Sequence, residues 1–285
     1  MISRGARRAS VTGRRTRARR AAGLGTPLLV VPPALIGVAF LLLPTVALLV
    51  RMPWGSLGRI YRGQHIWTAL RLSIESSLEA TAISLVIGVP LAWVIARVRL
   101  PGMGLVRALV IVPLVLPPVM GGLALFAAFG HFGLLGSAIR ALTDGSDLPF
   151  TYAAIVVAQT FVSMPFLVLT VEGAFRIADR GVEEAAATLG ASRTRVLLRV
   201  TLPLVAPAIV VGAVLCWARA LGEFGATLLF GGNTVGTSQT VPTAVLTVYA
   251  TNSADAPALA LPLLAVALIV LISLRDRWLR APAAS

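Results

Sequence analysis

The sequence predicts an all-α membrane protein with six transmembrane helices, and three observations carry that prediction. Of its 285 residues, 57% are hydrophobic and only 13% charged, a balance that places the chain in the membrane class. Six apolar segments, at residues 27–50, 70–96, 105–129, 150–175, 204–230 and 258–274, are each long enough for a bilayer core. Such a core is about 30 Å thick and takes roughly 20 residues of helix. The arginines favour alternate connections between these segments, as the positive-inside rule expects of a multi-pass protein, although the first outer loop with Arg51, Arg59, Arg62 and Arg71 runs against the bias.

Taken in order, residues 1–26 form a basic tail with eight arginines in the first twenty positions and no apolar periodicity. Next to a first span, such a tail holds the N-terminus in the cytoplasm against anionic lipid rather than binding nucleic acid. Arg19-Arg20 raises a twin-arginine signal, but the apolar run at 27–50 is too long for a signal core, so it is expected to remain as a span. Residues 27–69 are this first helix and an outer loop. Residues 70–275 hold the other five spans, and residues 276–285 are a second cytoplasmic tail. Pro44, Pro90, Pro117 and Pro165 lie inside spans, where neighbouring helices can satisfy the freed carbonyls. With the N-terminus inside, nineteen arginines fall on the cytoplasmic side and five outside, so both termini are expected in the cytoplasm. The outer loops are short and rich in turn formers, including Gly55, Gly58, Gly145, Gly232 and Gly236.

One connection differs from the rest. In residues 177–203, Val182, Ala185, Ala186 and Leu189 fall at i, i+3, i+4 and i+7, an apolar stripe on one helix face. Asp179 can cap this helix, and Glu183 and Glu184 sit in its first turns, where the helix dipole favours acids. Gly190 is its stop, because glycine accepts the left-handed conformation. Ser192 can cap a second helix through Arg193, Arg195 and Arg199. The segment reads as helix, glycine break, helix, exposed between two spans.

The stretch resembles the EAA loop of bacterial ABC importer permeases. That pattern is Glu-Ala-Ala, three residues, Gly, nine residues, an aliphatic residue, one residue and Leu-Pro. Here Glu184-Ala185-Ala186 is followed by Gly190, Val200 and Leu202-Pro203 at those spacings, with Val200 in the place of the usual Ile. The plain alternative is an amphipathic linker. The resemblance implies a type I ABC importer permease fold and assigns ATPase coupling to Glu183, Glu184, Ala185, Ala186, Leu189, Gly190, Ser192 and Arg193.

Further resemblance narrows the substrate. Arg219-Ala220-Leu221-Gly222-Glu223-Phe224-Gly225-Ala226-Thr227 is similar to the fifth-span signature of molybdate (or tungstate) permeases. Sulfate permeases typically carry Glu-Tyr-Gly where Glu223-Phe224-Gly225 stands. The runs Pro113–Pro118 and Gly88–Trp93 resemble both groups. Glu75 and Glu79 depart from the resemblance. Arg219 and Glu223 are i and i+4 on one face and can pair. An intramembrane charge is costly and faces the bundle interior or a water-filled path, so the pair is either a structural ion pair or part of a translocation path. Gln159, Thr160, Ser163 and Thr227 are candidate donors along that path, or bond to backbone within the bundle.

The resemblance implies a permease subunit in a bacterial inner (plasma) membrane, paired as a homodimer with cytoplasmic ABC ATPase subunits and an external substrate-binding protein. A sulfate/thiosulfate permease is the alternative. An ion-coupled secondary transporter using Arg219, Glu223 and Glu79 leaves the EAA-like loop without a purpose. An enzyme is disfavoured: His65 and His131 are far apart, the one cysteine is Cys216, and the spans hold no catalytic or metal-ligating cluster. All 25 basic residues are arginine, so no phosphate-binding loop with its lysine exists here, and the resemblance implies that ATP hydrolysis belongs to a separate subunit. No cofactor and no nucleic-acid partner are expected.

Overall fold

The computed structural model describes residues 28–63 and 65–279. The basic tail, Gln64 and the last six residues, Arg280 among them, lie outside the described residues. All regular structure in the described residues is helical. The chain divides into two units, Met1–Met52 and Pro53–Ser285. The first contains helix α1, Val31–Val50, which is apolar all round and exposes Leu35, Ile36, Phe40 and Leu43. Such a helix is suited to lipid or to another helix, not to water.

The second unit runs through α2 (Leu57–Gly63), α3 (Ile66–Arg97), α4 (Met103–Val115), α5 (Pro118–Phe129), α6 (Gly136–Leu142) and α7 (Tyr152–Ile177). It continues with α8 (Arg180–Thr188), α9 (Arg193–Val196), α10 (Leu202–Leu221), α11 (Val241–Thr251) and α12 (Ala256–Leu279). A π-helical turn at Leu197–Thr201 joins α9 to α10. Among the described residues, α1, α3, α7 and the run Arg193–Leu221 are long and apolar enough to cross a membrane. The pair α4–α5 makes a fifth crossing if counted as one span. The expected sixth, 258–274, lies within α12.

The centre is α7 packed between α3 and α10. Small residues permit the approach: a Cβ at Gly88 of α3 would meet Leu167 and Val168 at 3.2 Å, and one at Gly212 of α10 would meet Leu167 at 3.0 Å. Leu167 therefore sits in a slot between two glycines, the close packing that helices use in lipid, where apolar transfer between them gains nothing. Ala92, Val168, Val171, Phe175, Val205 and Cys216 complete this core. A hydroxyl seam of Ser73, Ser76, Ser77, Thr81 and Ser84 is buried along α3. Three of its members bond back to their own helix, Ser76 to the Ser73 carbonyl at 3.4 Å, Ser77 to that of Ile74 at 3.0 Å and Thr81 to that of Ser77 at 2.7 Å.

Two expected spans are broken. Residues 105–129 form α4 and α5 at 120° to each other. Leu116 and Pro117 are extended, and each precedes a proline, whose ring disfavours helical geometry in the residue before it. Residues 204–230 stop at Leu221, and a π-helical turn forms at Thr227–Gly231. The two breaks meet. A Cβ on Gly225 would lie 2.6 Å from Pro118, and one on Gly122 would lie 3.2 Å from the backbone of Ala226.

The loops hold more helix than turn formers suggested. α3 has 32 residues, about 48 Å at 1.5 Å per residue. Tyr152, at the start of α7, donates to Glu79 Oε1 at 3.0 Å, so the first three turns of α3 run beyond α7. α11 covers that overhang: the Val241 amide donates to Ser73 Oγ at 2.8 Å, and Val241, Ala244 and Val248 are buried. Its start, Thr240-Val241-Pro242 with apolar residues at i, i+3 and i+7, was a legible helix signal.

Candidate functional site

The loop after α7 builds its helices by capping. The Gly181 amide donates to Asp179 Oδ1 at 2.8 Å to open α8. At its far end the Gly190 amide bonds to the Ala187 carbonyl at 3.0 Å and the Ala191 amide to that of Ala186 at 3.1 Å. These two bonds make a Schellman motif, which requires the positive φ of +88° that Gly190 adopts. Ser192 then caps α9 by accepting from the Arg195 amide at 3.4 Å.

This helix pair presents a bare face. Val182 is 48% and Leu189 89% exposed, Ala185 is exposed and Ala186 half-buried. Glu184, Ser192 and Arg193 are exposed as well. An apolar stripe with acid beside it and no cover among the described residues is suited to a protein partner. Behind it lies a cleft of about 460 Å³ lined by Trp93, Glu183, Glu184, Arg193, Leu197 and Thr201, among others.

Glu183 behaves unlike its neighbour. Its Oε1 accepts from Arg97 Nη2 at 2.9 Å and from the Thr201 hydroxyl at 3.1 Å. Arg97 is the last residue of α3 and its side chain is 9% exposed. Of the two adjacent acids, one is bound inside the chain and one is open.

The pair in the broken span forms as the i, i+4 spacing allows. Glu223 is 1% exposed and its Oε2 lies 2.5 Å from Arg219 Nη1. Its Oε1 accepts from the Ala226 amide at 2.9 Å, so it also caps the turn that follows the break. Thr227 is fully buried on that turn. On α7, Gln159 and Ser163 are buried, and Cys216 Sγ donates to Ser163 Oγ at 3.3 Å, joining α7 to α10. Thr160 is half-buried and donates to the Val156 carbonyl at 2.7 Å. Among the described residues, no hydrogen bond joins Gln159, Thr160 or Thr227 to Arg219 or Glu223. Gln159 Oε1 and Thr227 Oγ1 are buried without a hydrogen-bond partner.

Sequence reasoning overlooked three features. Arg97 and Thr201 carry no local signal, because their partner Glu183 is distant in sequence. Glu172, 1% exposed on α7, holds Arg176 at 2.7 Å and Arg107 of α4 at 3.4 Å. An acid inside an apolar run, four residues before an arginine, was its signal. Glu75 and Glu79 are also engaged, with Arg71 at 2.7 Å and with Tyr152.

The model of the binding-protein-dependent transport system inner membrane component family matches residues 84–281. The chain is similar to the molybdenum transport system permease protein ModB of Mycobacterium tuberculosis. The two are 43% identical over 245 residues, covering 86% of this chain and 92% of that protein. It is also similar to the sulfate transport system permease protein CysT of Escherichia coli, 35% identical and covering 74% of each. A solved bacterial alginate ABC transporter in complex with a periplasmic protein shares the fold. Its TM-score is 0.62 at 17% identity, covering 86% of this chain and 90% of that one. A type I importer arrangement of helices, an exposed helix–glycine–helix loop and these matches together place the chain: it belongs to the family of inner membrane components of binding-protein-dependent transport systems.

Proposed function

We propose that this chain is the permease subunit of an ATP-driven importer for molybdate or tungstate. It is read as working as a homodimer with cytoplasmic ABC ATPases and an external substrate-binding protein. The observation that carries the reading is the α8 face, exposed among the described residues, closed by a glycine at positive φ and flanked by the exposed carboxylate of Glu184. Both termini and the α8–α9 loop are assigned to the cytoplasm on the arginine bias. Residues 70–275 form the transporting core, with residues 177–203 as the coupling loop, preceded by the first helix and the basic tail. Ala185 and Ala186 allow close approach of a partner, Leu189 enters its surface, and Glu184, Ser192 and Arg193 supply polar contacts at the rim. ATP-driven closure of the partner would move α8 and, through it, the spans.

Molybdate is favoured because the Mycobacterium tuberculosis ModB is 43% identical to this chain against 35% for the sulfate relative, and Phe224 stands where sulfate permeases typically have Tyr. Sulfate is the second reading, supported by the similarity to CysT. Arg219, Glu223 and Thr227 at the broken span, with Gln159, Thr160 and Ser163 opposite on α7, are read as bracing or lining the path. The test is uptake of radiolabelled molybdate into proteoliposomes with unlabelled tungstate or sulfate as competitor. Tungstate is expected to compete and sulfate to leave uptake unchanged. Suppression by equimolar sulfate would transfer the assignment to sulfate.

A further inference from the structure

We propose that the two adjacent acids of α8 divide the work of coupling. Glu184 meets the partner, while Glu183 clamps α8 to the last residue of α3 and to the root of α10. The inference rests on the importer reading and names the internal route by which a push on α8 reaches the spans.

Among the hydrogen bonds and ion pairs of the described residues, Glu183 is the one side chain of α8 that reaches another long helix. Asp179 and Ser192 bond within two or three residues of themselves, and Thr188 bonds to the Ala185 carbonyl of its own helix at 2.8 Å. A cleft of about 460 Å³ separates part of the α8–α9 loop from Trp93 of α3, so packing alone does not weld the loop to that span. The Arg97 guanidinium crosses to Glu183, and Thr201, 2% exposed in the π-helical turn, donates to the same oxygen. A charge-assisted contact made by a side chain that is 9% exposed is screened far less than a surface ion pair.

The groups of the clamp allow a second arrangement. Both bonds use Oε1, and Arg97 holds it through Nη2 while Nε is buried without a hydrogen-bond partner. A rotation of α8 that brought Oε2 onto Nε would make the pair bidentate, the stronger arginine–carboxylate geometry. α8 can thus shift on α3 without letting go of it. Because the same carboxylate holds Thr201, the shift is delivered to α3 and to α10 together. Coupling of this kind is carried by an element with two discrete arrangements.

The experiment uses the permease–ATPase complex in proteoliposomes with the binding protein supplied outside. It measures ATPase copurification and the ATP hydrolysed per radiolabelled molybdate taken up. Arg97→Met keeps the apolar stem and removes the charge, and Glu183→Gln keeps shape. Each is expected to retain the ATPase while ATP used per molybdate rises about tenfold, within the usual range of a coupling free energy. The exchanged pair Arg97→Glu with Glu183→Arg is expected to return the ratio to near its original value. Thr201→Val is expected to raise the ratio by a smaller factor. Wild-type ratios in both Arg97→Met and Glu183→Gln would overturn the clamp while leaving partner docking intact. Loss of the ATPase from Arg97→Met would also overturn it, because Arg97 would then act in docking. If the wild-type chain itself retains no ATPase, the importer reading falls and the clamp falls with it.

Discussion

Two buried carboxylates with the same exposure have different structural roles. Glu223 satisfies Arg219 and the Ala226 amide at once, at a break where backbone groups lack helical partners. Glu223→Ala leaves Arg219, whose side chain is 28% exposed, and a buried amide both unmatched, a loss of about 3 kcal/mol. Glu223→Gln keeps an acceptor for the amide and is expected to lose less. Glu172 instead holds two arginines that are each 48% exposed and can turn to solvent. Glu172→Ala is therefore expected to cost only about 1 kcal/mol, as for an ion pair whose arginine partners stay solvated. Thermal unfolding of the purified variants in detergent ranks them. A Glu172→Ala variant less stable than Glu223→Ala would contradict this account.

Among elements, the glycines separate conformation from space. Gly190 faces open space but needs φ of +88°, so Gly190→Ala is expected to cost about 1 kcal/mol through backbone strain alone. Gly190→Val adds a branched side chain at the same φ and is expected to leave the permease in the membrane but release the ATPase, read by copurification. Gly212 has an ordinary φ but no room, since its Cβ would meet Leu167 Cδ1 at 3.0 Å and Leu167 backbone at 3.4 Å. Gly212→Val is expected to push α10 off α7 at about 1–3 kcal/mol. The loop around α6 carries a pH dependence. His131 Nδ1 lies 2.9 Å from Asp147, and the hydrogen bond between them, with the Arg140 guanidinium beside it, holds the Asp147 carboxyl below its usual range. A lowered carboxyl stabilises the folded loop above the ordinary aspartate value, and that contribution disappears as the pH falls through the lowered one. A nitroxide at Ser146 should stay immobile until the pH is well below that of free aspartate titration, and Asp147→Asn should free it at neutral pH.

At the scale of the whole molecule, the arginine bias makes a directional claim. Val235 is 49% exposed in the loop after the broken fifth span, and Arg193 is exposed in the α8–α9 loop. With Cys216 buried, a single introduced thiol reports its own side. An impermeant maleimide applied to intact cells is expected to label Val235→Cys and not Arg193→Cys. The reverse pattern would move the α8 loop away from any cytoplasmic ATPase. Gly232 is a poor choice for the label, because it is buried at positive φ with Phe150 2.9 Å from where its Cβ would lie.

The membrane class, the all-helical fold and the helix–glycine–helix loop were legible in the sequence because each depends on local physics. Hydropathy over twenty residues, a capping Asp179, a Gly190 stop and a Ser192 cap act through neighbours along the chain. The i, i+4 pair of Arg219 and Glu223 was legible for the same reason. What remained hidden was decided by contacts between distant residues. The hydropathy of residues 105–129 and 204–230 did not show where the helix would stop, because hydropathy is indifferent to a bend. The prolines at 117 and 118 mark one break, but only its packing against Gly225 shows why the other lies where it does. The second job of Glu223, capping a turn, exists only because α10 ends at Leu221. The opposite fates of Glu183 and Glu184 follow from the end of α3 arriving beside one of them, 86 residues away in sequence from Arg97. Local composition set what each segment is; only the tertiary structure decided which acids, breaks and glycines meet.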